Sequence, residues 1–265
     1  MIRLGCFGTT AQLSEIERAG FDTIELDFCE ITQMPEAEFS EFLENAGRSG
    51  LTFDVCSGLF PMNLRFYEPD FAENYWLEHV EKGAERLAKL SCRIIPLGAG
   101  KCRSMPQARS EWKRCQEKLL EFTEKICGIL ERHGMLLAVE PLGPANSNYL
   151  NYISEAAEFI RKVPAENCRT MCDLRHMVKN GEDFGEILKF RDVISHAHID
   201  YPLGECRRFP QRGDGYDYSD YLGALGASGY EGILTIEATF WNDFAAEAVS
   251  SAEFLRREIH MKAGV

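Results

Sequence analysis

Short apolar runs alternate with longer amphipathic stretches from one end of the chain to the other. The first run, Ile2 to Phe7, is followed by helix-spaced apolar positions from Ala11 to Ala19 and a stop at Gly20. The second, Thr23-Ile24-Glu25-Leu26-Asp27-Phe28, leads into a helical pattern over 36–47. The third, Thr52 to Cys56, precedes a long loop and a helix over 74–90. The fourth covers 93–98, before a helix over 108–133 that Gly134 ends. The second half repeats the rhythm, with strands at 136–140, 169–173, 193–200 and 233–237 and helices at 149–162, 184–190, 218–225 and 243–261. Apolar runs this short, bounded by turn residues, read as buried strands rather than helices.

Strict alternation of strand and helix implies parallel strands joined by right-handed crossovers. Eight such units in a chain of 265 residues suit a closed barrel, which needs about 250. The predicted fold is therefore an α/β protein, a single (β/α)₈ barrel domain over 1–265. An open doubly wound sheet is the alternative, but it carries a glycine-rich phosphate loop after its first strand. Here that strand ends Phe7-Gly8-Thr9-Thr10, and Gly98-Ala99-Gly100 is too short a match to replace it. The same absence disfavours a nucleotide-dependent oxidoreductase.

Composition changes the picture in three places. Asp and Glu number 42 against 29 Lys and Arg, a net charge of −13. Nucleic-acid binding rests on basic side chains neutralising phosphates, so no nucleic acid is expected as partner. No segment has the roughly 18 consecutive apolar residues of a membrane span, and Met1 to Phe7 lacks the apolar core and cleavage site of a signal peptide. Neither a membrane partner nor export is expected, and the protein reads as cytoplasmic. The ten cysteines form no disulfide framework in a chain this long. Reduced, mostly buried thiols are the expectation.

In a barrel of this kind chemistry sits at the C-terminal ends of the strands. Strand five ends at Glu140, strand six at Asp173 with His176 just beyond, strand seven carries His196 and His198 with Asp200 after them, and strand eight ends at Glu237. A single strand-end carboxylate is commonly a helix cap or a surface charge. Three carboxylates and an imidazole on adjacent strands, each closing an apolar run, are costly unless paired or bound to a cation. These are hard to borderline donors with no thiolate. They suit one divalent ion, Mn²⁺ first, with Mg²⁺, Co²⁺ or Zn²⁺ as alternatives. His196 and His198 are two apart and face the same side of their strand. His198, nearer the strand end, is the expected ligand, and His196 is expected to be structural, satisfied by a buried hydrogen bond.

At these residues the sequence resembles the xylose-isomerase-like barrel superfamily. More narrowly it is similar to the sugar phosphate isomerase/epimerase group that includes D-tagatose 3-epimerases and hydroxypyruvate isomerases. The resemblance is carried by Val139-Glu140-Pro141-Leu142 with Tyr149-Leu150-Asn151, by Cys172-Asp173-Leu174-Arg175-His176, by His196-Ala197-His198, by Cys206-Arg207-Arg208-Phe209-Pro210 leading to Gly213-Asp214-Gly215, and by Ile236-Glu237. It covers about 136–240, and the N-terminal half matches only in its alternation. The resemblance implies a metal-dependent isomerase or epimerase acting on a ketose or related α-hydroxy carbonyl through an enediolate. It implies metal ligation by Glu140, Asp173, His198 and Glu237, proton transfer by Glu140 and Glu237, and contact of His176 and Arg207 with substrate oxygens. Arg208 is the alternate for Arg207. A keto-cyclitol dehydratase shares the fold and first step. A non-catalytic sugar-binding barrel is the reading from another class.

Three loops add expectations. Gly143-Pro144-Ala145-Asn146-Ser147 stands where epimerases of the group often carry another Glu, so the far end of the sugar is held differently. The loop Thr239-Phe240-Trp241-Asn242-Asp243 is aromatic and acidic, which suits stacking on a sugar ring better than gripping a phosphate. Phe60 to Tyr67 is an apolar loop that either covers the site or meets another subunit of a homo-oligomer.

Overall fold

A computed structural model of the chain describes residues 1–62 and 64–263, the last two of them through the backbone alone. Among the described residues the strands are β1 (Arg3–Phe7), β2 (Thr23–Asp27), β3 (Thr52–Ser57), β4 (Ile94–Leu97), β5 (Leu136–Val139), β6 (Cys168–Asp173), β7 (Ile194–Ile199) and β8 (Ile233–Ile236). The helices are α1 (Leu13–Arg18), α2 (Phe28–Gln33), α3 (Glu36–Ala46), α4 (Glu73–Ala88), α5 (Trp112–Arg132), α6 (Ile153–Ile160), α7 (Leu174–Asn180), α8 (Gly185–Lys189), α9 (Ser219–Ala227) and α10 (Phe244–Ala263). All strand pairs are parallel, each strand pairs with the next, and β1 closes on β8 with Leu4 opposite Leu234. The architecture is the closed (β/α)₈ barrel expected from the alternation.

The helices pack on the barrel through stripes of apolar residues. In α5 the buried positions Cys115, Leu119, Phe122, Ile126, Cys127 and Leu130 recur every three or four residues, the spacing that puts them on one face. Gly134 follows at φ 71°, a left-handed turn that a β-carbon would strain. Inside the barrel the layer is partly polar: Thr23, Glu25, Thr170, His196 and Thr235 are all fully buried. Buried hydroxyls need acceptors, and two of these reach carbonyls of the neighbouring strand, Thr23 to Thr52 at 2.8 Å and Thr170 to Val139 at 2.7 Å.

The structure differs from the predicted elements in two places. Two short helices, α2 and α7, directly follow β2 and β6. Each is capped by the carboxylate that ends its strand: Asp27 accepts from the Glu30 N–H at 2.8 Å and Asp173 from the His176 N–H at 2.9 Å. The helix expected over 149–162 starts at Ile153, because Leu150 has φ 59° and cannot continue a right-handed helix. The apolar loop after β3 folds inward. Phe60 and Phe66 are buried in an aromatic cluster with Phe71, Trp76 and Phe122, while Met62 is exposed; Asn63 of that loop lies outside the described residues. All ten cysteines are free thiols, eight of them buried.

Candidate active site

A cavity of about 510 Å³ opens at the C-terminal end of the barrel. One wall is charged and is made by Glu140, His176, His198, Arg207 and Glu237. The opposite wall comes from β2 and β3 and their loops: Asp27, Cys29, Ser57, Leu59, Phe60 and Met62.

Glu140 and Glu237 stand one residue past β5 and β8, and their N–H groups still donate to the neighbouring strands, at Leu97 and Ile199. His198 sits opposite Asp173 in the β6–β7 register. The strand ends therefore fix four backbones at one height. The side chains converge, with His198 Nδ1 3.1 Å from Glu237 Oε2, 3.6 Å from Glu140 Oε1 and 3.7 Å from Asp173 Oδ2. One donor atom from each of the four residues lies within 4.8 Å of every other. Asp173 serves twice, capping α7 with Oδ1 and turning Oδ2 to the cluster.

Arginines balance part of this charge. Arg207 Nη1 lies 2.7 Å from Glu237 Oε2, 3.0 Å from Asp200 Oδ2 and 3.2 Å from Asp173 Oδ2. Arg175 grips both oxygens of Asp200 through Nε, at 2.8 and 2.9 Å. Arg103, fully buried, donates to the carbonyls of Gly98, Tyr149 and Glu140. Burial lowers its guanidinium to about 10, still charged at neutral pH. Burial alone would push every carboxyl here toward its neutral form. At two of them the charges outweigh it: Arg207 and His198 hold Asp173 well below the usual carboxylate range and lower Glu237, whereas at Asp200 burial outweighs Arg207 and Arg175 and raises the carboxyl to about 7. Burial likewise opposes charge on His198, but Glu25 and Glu237 hold the imidazole well above its ordinary value.

The balance is incomplete. Glu140 Oε1, His198 Nδ1 and Glu237 Oε2 are shut off from water and have no hydrogen-bond partner; the close approaches to Glu237 Oε2 are out of line for one. Unsatisfied buried polar atoms are costly, and here three of them point at one spot. Donors about 2.0–2.2 Å from a divalent ion stand roughly 3–4 Å from one another, the spacing of His198 Nδ1 from its three carboxylate neighbours. Carboxylate and imidazole chemistry, spacing and orphaned atoms all fit a divalent cation at Glu140, Asp173, His198 and Glu237.

His176 and Arg207 meet beside this cluster. The Gly143 N–H donates to His176 Nδ1 at 3.0 Å, so the ring proton is on Nε2. That N–H faces Arg207 Nη2 at 3.0 Å, two donors with no acceptor between them. An oxygen placed over the pair in the cavity would accept from both.

Other expected contacts are absent. Arg208 is exposed and lies over the Phe240 ring at 4.9 Å, so Arg207 and not Arg208 lines the cavity. The aromatics of the loop after β8 do not face a sugar site: Trp241 packs on Phe209 and Phe244 and Phe240 lies under Arg208, leaving Thr239 as that loop's lining residue. Burial of the indole on two rings outweighs its exposure to an aqueous cavity. Of the segment 143–147, Asn146 reaches the lining. His196 hydrogen-bonds Glu25, Nε2 to Oε2 at 3.0 Å. Glu25, Arg103 and the Arg175–Asp200 pair were not singled out in the sequence. The signal for Glu25 was a charged residue in the middle of an apolar strand.

Gly98 shows how closely the cluster is packed. A β-carbon there would lie 2.5 Å from Glu140 Oε2. Gly98→Ala is expected to keep the fold and to displace the Glu140 carboxylate, weakening divalent-cation binding by about 10–100-fold. Calorimetric titration with Mn²⁺ beside a thermal melt checks this.

A family model described as xylose isomerase-like TIM barrel matches residues 13–258. The D-psicose 3-epimerase of Ruminiclostridium cellulolyticum is 24% identical over 235 residues, 85% of this chain and 76% of that protein. Among solved structures, D-psicose 3-epimerase with D-tagatose from Clostridium cellulolyticum H10 superposes with a TM-score of 0.82 at 18% identity, over 97% of this chain and 99% of that one. The 3-keto-D-glucoside 4-epimerase from E. coli gives a TM-score of 0.80 at 19% identity, over 97% and 100%. Among the described residues no helix is long and apolar enough to cross a membrane.

Proposed function

The chain belongs to the xylose isomerase-like TIM barrel family, and on that premise we propose that it is a divalent-metal-dependent sugar epimerase or isomerase acting on a ketose or related α-hydroxy carbonyl. The observation that carries the reading is the convergence of Glu140, Asp173, His198 and Glu237 on one spot, where three buried atoms make no hydrogen bond. Bound there, Mn²⁺ or a similar ion supplies Lewis-acid stabilisation of negative charge on the substrate's oxygens.

The remaining work falls to side chains. Glu140 and Glu237 come from β5 and β8 and reach the cavity from different sides. One removes the proton from the carbon beside the carbonyl, leaving an enediolate; the other returns a proton to the opposite face, which inverts that carbon. Arg207 Nη2 and the His176 Nε2–H, donors without an acceptor between them, hold the oxygen on which charge develops. The activities in the names of the similar proteins support epimerisation over carbonyl migration. Among the described lining residues Arg207 is the one guanidinium or ammonium group, and three carboxylates already engage it. With no second such group to share a phosphate dianion, the lining favours an unphosphorylated substrate.

The test is incubation with Mn²⁺ and a panel of ketoses in D₂O, followed by NMR. The expected result is deuterium at the carbon next to the carbonyl, a new epimer, and loss of both on chelation with EDTA. Sugar binding with no carbon-bound deuterium in any panel member would leave a binding protein instead of an enzyme.

A further inference from the structure

Glu25 lies on β2, across the barrel from β7, and is wholly buried. Each of its oxygens takes one imidazole: Oε1 is 3.0 Å from His198 Nε2 and Oε2 is 3.0 Å from His196 Nε2. The two rings stand edge to face, 4.8 Å between centroids. An ionised carboxylate has no proton to give, so both Nε2 atoms are N–H donors. With Nε2 committed below, His198 turns Nδ1 upward to Glu140, Asp173 and Glu237. Its backbone is held too, since the Tyr221 hydroxyl donates to the His198 carbonyl at 2.9 Å.

We propose that Glu25 is a positioning residue that locks His198 in the tautomer presenting Nδ1 to a cation, with His196 pinning the carboxylate's second oxygen. The inference rests on the reading of the four-residue cluster as a metal site. One carboxylate oxygen would orient His198 alone, but a carboxylate with a single partner is free to turn. His196 removes that freedom, and its own Nδ1 is left buried without a partner, which shows the structure favouring the Glu25 contact over satisfaction of that atom. A carboxylate behind an imidazole ligand also makes it a stronger donor, and losing such a partner typically weakens metal affinity 10–100-fold. The rival use of these residues is a second cation held by Glu25, His196 and His198. That use would require both Nε2 atoms to be bare.

The experiment uses the full chain and needs no turnover. Calorimetric titration of the metal-free protein with Mn²⁺ is expected to give one site. In Glu25→Gln the amide presents a donor to one of the two Nε2–H groups, so one ring must turn, and affinity is expected to fall about 10–100-fold with the melting curve still cooperative. Nitrogen-15 NMR of the histidines in wild-type protein loaded with Zn²⁺ is expected to show the His198 proton on Nε2 and none on Nδ1, a readout that stands even where Glu25→Gln does not fold. The proposal is overturned by a folded Glu25→Gln with unchanged affinity, by a bare His198 Nε2 in the loaded protein, or by two Mn²⁺ sites of which Glu25→Gln loses one. Wild type that binds no divalent cation would sink the metal site itself, a failure distinguishable from the others.

Discussion

Glu140→Gln and Glu237→Gln, taken singly, are each expected to lower turnover by about 10²–10⁴-fold, the usual contribution of a positioned base, while the barrel stays folded. Glutamine keeps the shape and one oxygen but cannot take a proton. Folding tolerates the change because each substitution removes one negative charge from a crowded cluster. Arg207, which loses its nearest partner in Glu237→Gln, keeps Asp173 at 3.2 Å and Asp200 at 3.0 Å. Both glutamates also belong to the cation cluster, so kinetics are measured at saturating Mn²⁺ to separate lost affinity from a lost base. The sharper readout is deuterium in recovered substrate. With one base per face, each variant still exchanges the proton of the epimer its surviving glutamate addresses, and produces no other epimer. The two variants should then label opposite epimers. Wild-type rates of deuterium uptake into both epimers by either single variant would remove the two-base scheme.

The barrel was legible because each strand is a short, mostly apolar run bounded by glycine or polar residues, and the runs recur with helical stretches between them. The same feature exposed the candidate ligands: Glu140 ends Leu-Leu-Ala-Val and Glu237 ends Leu-Thr-Ile. Two short helices escaped because the aspartates that cap them, Asp27 and Asp173, also end strands. Asp27 followed three residues later by Glu30 is a helix-start pattern, hidden by lying inside the run Thr23 to Phe28 that was read as the second strand. The partners of the site were less accessible for a different reason. Glu25 meets His198 across 173 positions of sequence and Arg103 meets Glu140 across 37, and such contacts exist only once the barrel closes. The loop after β8 illustrates the reverse failure. Its aromatic composition suited a sugar ring, yet Phe209 and Phe244 offered Trp241 a drier neighbour. Composition does not say which of two apolar surfaces a ring will choose.

Arg175→Leu is expected to cost about 3–5 kcal/mol, the usual penalty for stripping one partner from a buried ion pair, which for a chain of this size lowers Tm by on the order of 10 °C. Arg175 is nearly inaccessible, as is its partner Asp200. Besides both Asp200 oxygens, its guanidinium serves the carbonyls of Tyr201, Gly204 (2.7 Å) and Cys206 (2.8 Å). One side chain thereby folds the segment after β7 that delivers Arg207 to the cavity. Leucine leaves three carbonyls without their donor and Asp200 with Arg207 alone. Below its melting point the variant is expected to show a raised KM as well, because an unpaired Asp200 competes for Arg207. Arg175→Lys should recover part of the stability and little of the KM, since an ammonium cannot reproduce a planar fork serving four residues. Removing Asp200 along with Arg175, both to Leu, should be less destabilising than Arg175→Leu alone, because the orphaned charge carries much of the penalty. Thermal melts of the three variants measure this directly. A single Arg175→Leu variant melting within about 2 °C of wild type, less than 1 kcal/mol by the same conversion, would show that the segment bearing Arg207 is held by something other than this guanidinium.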